Sequence, residues 1–146
     1  MNKFAYLIVI FTALAINTSA QKKPAASVDP TKGVRQAFDR LIDGIKQVDA
    51  EKVAGTYEKS DRLLIFNNNG SATIGWENVK SNVESAYAKV SNVSIEVTGV
   101  RVEMLGKTGA YVSCKWKQTQ ENDGKLESAS GRMTLVFRLI GKDWKI

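Results

Sequence analysis

From Gly109 to Ile146 apolar and polar residues alternate with a period of two, interrupted by two turn signals. The stretch reads as three antiparallel strands: GAYVSCKWKQTQ, a turn at Asn122-Asp123-Gly124, SASGRMTLVFRLI, a turn at Gly141-Lys142, and DWKI. In the middle strand Ala129, Met133, Leu135, Phe137 and Leu139 share one parity, and Ser128, Ser130, Arg132, Thr134 and Arg138 hold the other. In the strand before it Ala110, Val112, Cys114 and Trp116 alternate with Tyr111, Ser113, Lys115 and Lys117. Successive side chains of a strand point to opposite faces, so this pattern demands a sheet with one dry face and one wet face. A dry face must be covered, and the upstream chain has to supply the cover.

Upstream, Asp29-Pro30 reads as a helix start, with Asp as the capping residue and Pro at the first helical position. Val34, Phe38, Leu41, Ile42, Ile45 and Val48 then form one apolar face. Asp49 is placed to cap a second, short helix from Ala50 to Tyr57, with weak propensity at Gly55-Thr56 favouring an early end. A hairpin follows: Arg62 to Phe66, a reversal at 67–70 whose Asn69-Gly70 pair suits a two-residue turn, and a return from Ser71 to Gly75. Trp76 opens a third helix whose face is Val79, Val83, Ala86, Tyr87 and Val90. Beyond it Val93, Ile95 and Val97 share one parity, and Val100, Val102 and Met104 share the opposite one. That switch at Thr98-Gly99 predicts a β-bulge, which bends the strand and gives the sheet a concave side. Helices set against a mainly antiparallel sheet make an α+β fold.

At 146 residues, 43% hydrophobic and 25% charged, the chain is globular and long enough for one buried core. The formal charge of +6 is spread along the sequence, with no run longer than Lys22-Lys23, so nucleic acid is not an expected partner. Lys3, the apolar run Phe4 to Ile16 and Thr18-Ser19-Ala20 have the layout of a secretory signal peptide cleaved near Ala20. The apolar run is shorter than the ~20 residues of a membrane-spanning helix, so no span is expected. The domain reading is a leader over 1–20, a flexible lead-in over 21–28 and a folded domain over 29–146, secreted or periplasmic. Cys114 is the only cysteine and there is no histidine. Internal disulfides, transition-metal sites and Ser-His or Cys-His nucleophiles are thereby excluded, and no cofactor is expected.

Several strings, in their order, resemble the SnoaL-like branch of the nuclear-transport-factor-2-like superfamily. They are Asp49-Ala50-Glu51, Tyr57 followed by Asp61, Gly75-Trp76-Glu77-Asn78-Val79, Gly109-Ala110-Tyr111-Val112, Gly131-Arg132-Met133-Thr134 and Gly141-Lys142-Asp143-Trp144-Lys145-Ile146. The resemblance covers the chain from about Asp29 onward and implies a cone-shaped, cystatin-like fold with three N-terminal helices packed on a curved sheet. Members commonly run past the Trp-Lys-Ile string into a strand carrying cavity-facing histidines. The sequence stops at Ile146 without one: either it is a truncated version or the family's terminal polar groups are missing from it, and in both cases no histidine-based site carries over. The superfamily holds isomerases, cyclases and dehydratases beside binding and oligomerisation domains, so membership does not select a function.

Asp61, between the second helix and the first strand, is the candidate general base; beside Arg62 the reading as a solvated loop acid is the more usual one. Tyr57, Trp76, Tyr87, Trp116, Phe38, Phe137 and Trp144 are the aromatics expected inside, either lining a pocket or filling the core. Arg132 falls on the wet face, where it suits a ligand carboxylate, solvent or a dimer interface. The sequence points to a domain that binds a small apolar molecule in its cone. Proton-transfer chemistry through Asp61 with Tyr57, or homo-oligomerisation, are the rival readings. A homodimer is expected, with Tyr111, Thr134 and Val136 on the outer face.

Overall fold

A computed structural model describes residues 29–67 and 69–146. The leader and lead-in read from the sequence lie outside them. The elements, in chain order, are α1 (Lys32–Gln47), α2 (Ala50–Ala54), β1 (Leu64–Phe66), β2 (Ala72–Ile74), α3 (Trp76–Tyr87), β3 (Val90–Leu105), β4 (Gly109–Asn122), β5 (Lys125–Ile140) and β6 (Asp143–Lys145). The last four form one antiparallel sheet in the order β3-β4-β5-β6, while β1 and β2 form a separate two-stranded sheet. The alternation that opened the sequence reading is realised as this meander. Its register sets Ala110 opposite Phe137, Val112 opposite Leu135 and Cys114 opposite Met133, so the dry parities of β4 and β5 coincide.

Asp29 does not cap α1. Its carboxylate accepts from the Thr31 amide at 2.8 Å and the Thr31 hydroxyl at 2.7 Å, closing a turn just ahead of the helix, which starts at Lys32. Val34, Ala37, Phe38 and Ile42 of α1 lie on Ile95, Ala110, Val112, Cys114 and Phe137 of the sheet. Each such fully buried Val, Ile or Phe contributes ~1.5–3 kcal/mol relative to exposure. Val48 leaves the apolar face to become the left-handed C-cap, at φ 53°. Asp49 caps α2 as expected, accepting the Lys52 amide at 2.9 Å, and α2 stops at Ala54, well short of Tyr57. The helical layer is therefore two full helices and one short turn. α1 supplies the main cover of the sheet, and α3 packs chiefly on α2.

The parity switch in β3 is a bulge: Gly99 and Val100 together face Cys114, between the pairs Thr98–Lys115 and Arg101–Ser113. A second bulge sits at Asn92-Val93, opposite Gln120. Gly99 (φ 63°) and Asn92 (φ 50°) each adopt the left-handed conformation at the first bulge position. The hairpin turn is wider than the two-residue turn predicted from Asn69-Gly70. The Asn67 amide donates to Ser71 O at 2.8 Å and the Gly70 amide to Asn67 O at 3.0 Å, so pairing reaches Asn67 and Ser71. Arg62, read as strand, belongs to the turn before β1.

Candidate functional site

Two strand edges and the segment after α2 enclose a groove of about 890 Å³. Residues 63–67, on and beside β1, line one side and residues 132–136 of β5 the other, with Tyr57, Glu58, Trp116, Arg138 and Ile146 completing the wall. The segment after α2 is held by three contacts. The Ile146 amide donates to Thr56 O at 3.0 Å, the Glu58 amide donates to Ile146 O at 2.7 Å, and Lys145 Nζ donates to Gly55 O at 2.6 Å. Arg138 meets the Glu58 carboxylate at 3.2 Å across the same corner. These bonds fix Tyr57 against the end of the meander.

Trp116, Met133 and Leu135 present the half-buried continuation of the core to this groove. Opposite Trp116 the register places Gly131, and a Cβ there would sit 3.3 Å from three atoms of the indole. The Nε1–Cε2–Cζ2 edge of the indole thus occupies the space a side chain at 131 would need. The rim is apolar but wet: Leu64 is 49% exposed, Phe66 77% and Val136 59%. Charge on the wall comes from Arg62, Arg132 and Arg138 against Glu58.

Tyr57 is half-buried, and loss of hydration together with the neighbouring Tyr87 phenol pushes its pKa up to about 12. Burial likewise pushes Tyr87 up to about 12. Both phenols stay protonated at neutral pH, so Tyr57 is equipped to donate a hydrogen bond rather than to accept a proton.

Of the residues singled out in the sequence, Tyr57 and Trp116 come together at the groove. Tyr87 stands beside Tyr57 but does not line it. Phe38 and Phe137 are in the closed core, 2% and 0% exposed. Trp144 packs on Gly33 of α1. Trp76 sits at the start of α3, donating its Nε1–H to Ala54 O at 3.0 Å with Lys59 Nζ 4.6 Å above its ring. Asp61 is exposed in the turn before β1 and is not part of the groove wall. Sequence reasoning missed Leu64, Phe66 and Arg62. No parity marked them, because Leu63, Leu64, Ile65 and Phe66 form an unbroken apolar run in which neither face stands out.

Two further hollows border Trp116. One of about 630 Å³ lies on the outer face among Glu96, Thr98, Lys115, Lys117 and Arg132. The other, about 520 Å³, lies among Gln118, Gln120, Glu127 and Ser128. In the latter Gln120 Nε2 donates to Glu127 at 3.2 Å and Gln118 Nε2 donates to Gln120 Oε1 at 2.7 Å. The polar side chains there satisfy one another.

The fold recurs in solved structures. A nuclear transport factor 2 (NTF2-like) superfamily protein from Salmonella enterica serovar Typhimurium superposes with a TM-score of 0.71 at 16% identity, over 80% of this chain and 85% of that one. A ketosteroid isomerase-like protein from Erwinia carotovora atroseptica gives 0.67 at 16% identity, over 80% and 90%. An NTF2-like protein with a cystatin-like fold from Novosphingobium aromaticivorans gives 0.62 at 14% identity, over 80% and 76%. At these identities the likeness is one of fold. No curated protein matches the chain. The SnoaL-like domain model matches residues 34–146, which takes in the sheet, the helices over it and the groove, and the chain belongs to that family.

Proposed function

We propose that this SnoaL-like domain binds a small apolar molecule in the groove between β1 and β5, and that it does so without catalysis. The observation that carries the reading is the wall: Leu64, Phe66, Met133, Leu135 and Val136 with the rings of Tyr57 and Trp116, around about 890 Å³. Clefts of this size with an apolar wall and placed polar groups are the usual form of a small-molecule site, and here Glu58, Arg62, Arg132 and Arg138 add charge around the apolar wall. Proton transfer through Asp61 has less support, because that carboxylate stands exposed and outside the wall. The isomerase-like name of one structural neighbour belongs to that neighbour. The apolar leader supports action outside the cytoplasm; of the residues expected at a self-association face, Tyr111 stays clear of the groove, whereas Thr134 and Val136 line it.

The test is titration with Nile red, an uncharged dye that brightens in apolar sites. Saturable binding is expected, weakened about tenfold by Phe66→Ser, which removes a ring 77% exposed and leaves the core intact. Asp61→Asn is expected to change nothing. Absence of saturable binding, or binding indifferent to Phe66→Ser, overturns the reading.

A further inference from the structure

The turn between β1 and β2 carries a side-chain relay. Asn67 Nδ2 donates to Thr73 Oγ1 at 3.1 Å and to Ser71 Oγ at 3.0 Å. Thr73 is buried and its hydroxyl also receives Asn82 Nδ2 of α3 at 3.3 Å, so the relay starts from the body of the fold. Facing a donor, the Ser71 oxygen accepts from Asn67 and sends its own proton to Asn69 Oδ1, 2.7 Å away. The Ser71 amide donates to the same oxygen at 3.0 Å. Two donors thus converge on the side-chain carbonyl of Asn69, an exposed residue. Asn69 precedes Gly70, and no other asparagine of the sequence precedes a glycine. A Cβ on Gly70 would meet nothing within 4 Å, so this peptide has open space beside it. Its N–H donates to Asn67 O at 3.0 Å, a bond in an exposed turn whose local opening frees the nitrogen.

We infer that Asn69 is a self-modification site, at which the chain's own backbone converts the side-chain amide to a carboxylate. The Gly70 N–H gives its proton to solvent, and the nitrogen bonds to Asn69 Cγ. Negative charge then collects on Oδ1, where the Ser71 amide and hydroxyl already point, an arrangement that stabilises such an oxyanion. The side-chain nitrogen takes up a proton and leaves as ammonia, closing a five-membered imide. Water opens the ring in one of two ways. Breaking the bond from Gly70 N to Cγ yields aspartate, and breaking the original peptide bond yields isoaspartate. Either product brings a negative charge to a tip, residues 66–72, that has none. The aspartate form keeps both Ser71 bonds, now to a carboxylate, and so retains the turn. The isoaspartate form lengthens the main chain by one atom and breaks the closure between Asn67 and Gly70. The two Asp-Gly pairs lack these conditions. Asp43-Gly44 lies inside α1, where a Cβ on Gly44 would stand 2.9 Å from Val53. Asp123-Gly124 sits in the β4–β5 turn, but its ionised carboxylate repels an attacking amide anion.

The test is incubation of the folded protein at mildly alkaline pH, followed by ion exchange, peptide mass mapping and an isoaspartyl methyltransferase assay. An acidic species should accumulate, with ammonia released and methyl-accepting isoaspartate confined to the peptide that carries residue 69. Asn69→Gln, which keeps the amide but cannot close a five-membered ring, should abolish it. Ser71→Ala should slow conversion about tenfold, less than the loss of an oxyanion donor costs in a dry site, because water partly replaces the hydroxyl. Ser71→Thr restores the hydroxyl and should restore the rate, which separates donation from a general disturbance of the turn. An Asn69 that stays intact overturns the inference. So does isoaspartate that forms as fast at residue 43 or 123. Conversion that is unchanged or faster in Ser71→Ala also overturns it, because the two Ser71 bonds would then be idle or protective.

Discussion

A Cβ placed on Gly33 would stand 2.7 Å from Cδ1 and 2.8 Å from Nε1 of Trp144, so the indole fills the space a side chain there would need. The first turn of α1 is seated in this way on β6, the strand that leads into the groove wall through Ile146. In a free helix Gly→Ala gains up to ~1 kcal/mol. Here Gly33→Ala has to displace a packed ring, and overpacking costs about 1–3 kcal/mol. The expected net effect is a loss of about 1 kcal/mol in urea unfolding. A gain instead would mean that Trp144 moves aside freely.

Tyr57 supplies the pH signature. Its pKa is about 12 in the fold and 10 when unfolded. Below pH 10 both states keep the proton and the native contacts count in full. Between pH 10 and 12 the unfolded chain loses the proton first, so it binds fewer protons and stability falls as pH rises. The loss attributable to Tyr57 is up to about 2 kcal/mol across that window. Tyr87 titrates in the same direction. Urea unfolding at pH 9 and pH 11.5 should show the decline, and Tyr57→Phe should flatten it. A decline unchanged in the phenylalanine variant would assign it to other groups.

Cys114 lies inside the sheet, opposite Met133, and burial pushes its thiol pKa up. Only the thiolate reacts readily, so a thiol reagent should label the native protein at a rate set by opening of the sheet. Cys114→Ala is expected to cost about 1 kcal/mol for the vacated volume. Cys114→Ser should cost more, about 1–3 kcal/mol, because its hydroxyl is buried where the thiol has no polar partner among the described residues. Rapid labelling under native conditions would show that the dry face opens easily around β4.

The meander was legible because period-two alternation is imposed residue by residue along β4 and β5, and Ala110, Val112, Cys114 and Phe137 all lie where their parity put them. The β3 bulge was legible for the same reason: a side chain cannot change faces without an extra residue. The groove was not. Its walls are strand edges, and an edge is defined by which strands fail to pair, which parity does not encode. Trp76 and Trp144 look like pocket aromatics in sequence, yet one caps the end of α2 and the other seats α1. Aromatic identity signals burial without saying whether the neighbour is a ligand or a glycine. Phe66, the most exposed ring on the rim, stood in a three-residue strand too short for its periodicity to show.

The two β3 bulges make each other's best control. Both put their first residue in the left-handed region, Gly99 at φ 63° and Asn92 at φ 50°. A Cβ on Gly99 would meet nothing within 4 Å, so a substitution there is charged only for backbone conformation. For most residues that is roughly 1–2 kcal/mol, and asparagine bears less of it. Gly99→Ala should therefore destabilise by about 1 kcal/mol, and Gly99→Asn by distinctly less, since asparagine already serves at position 92. Deleting Gly99 is a different perturbation. It removes the extra residue and forces either Val93, Ile95 and Val97 or Val100, Val102 and Met104 onto the wet face. Circular dichroism and urea unfolding should find the deletion largely unfolded while both point variants retain the native spectrum. A folded deletion variant with near-native stability would show that the sheet can re-register without its bulge, and that the bend is not fixed by this residue.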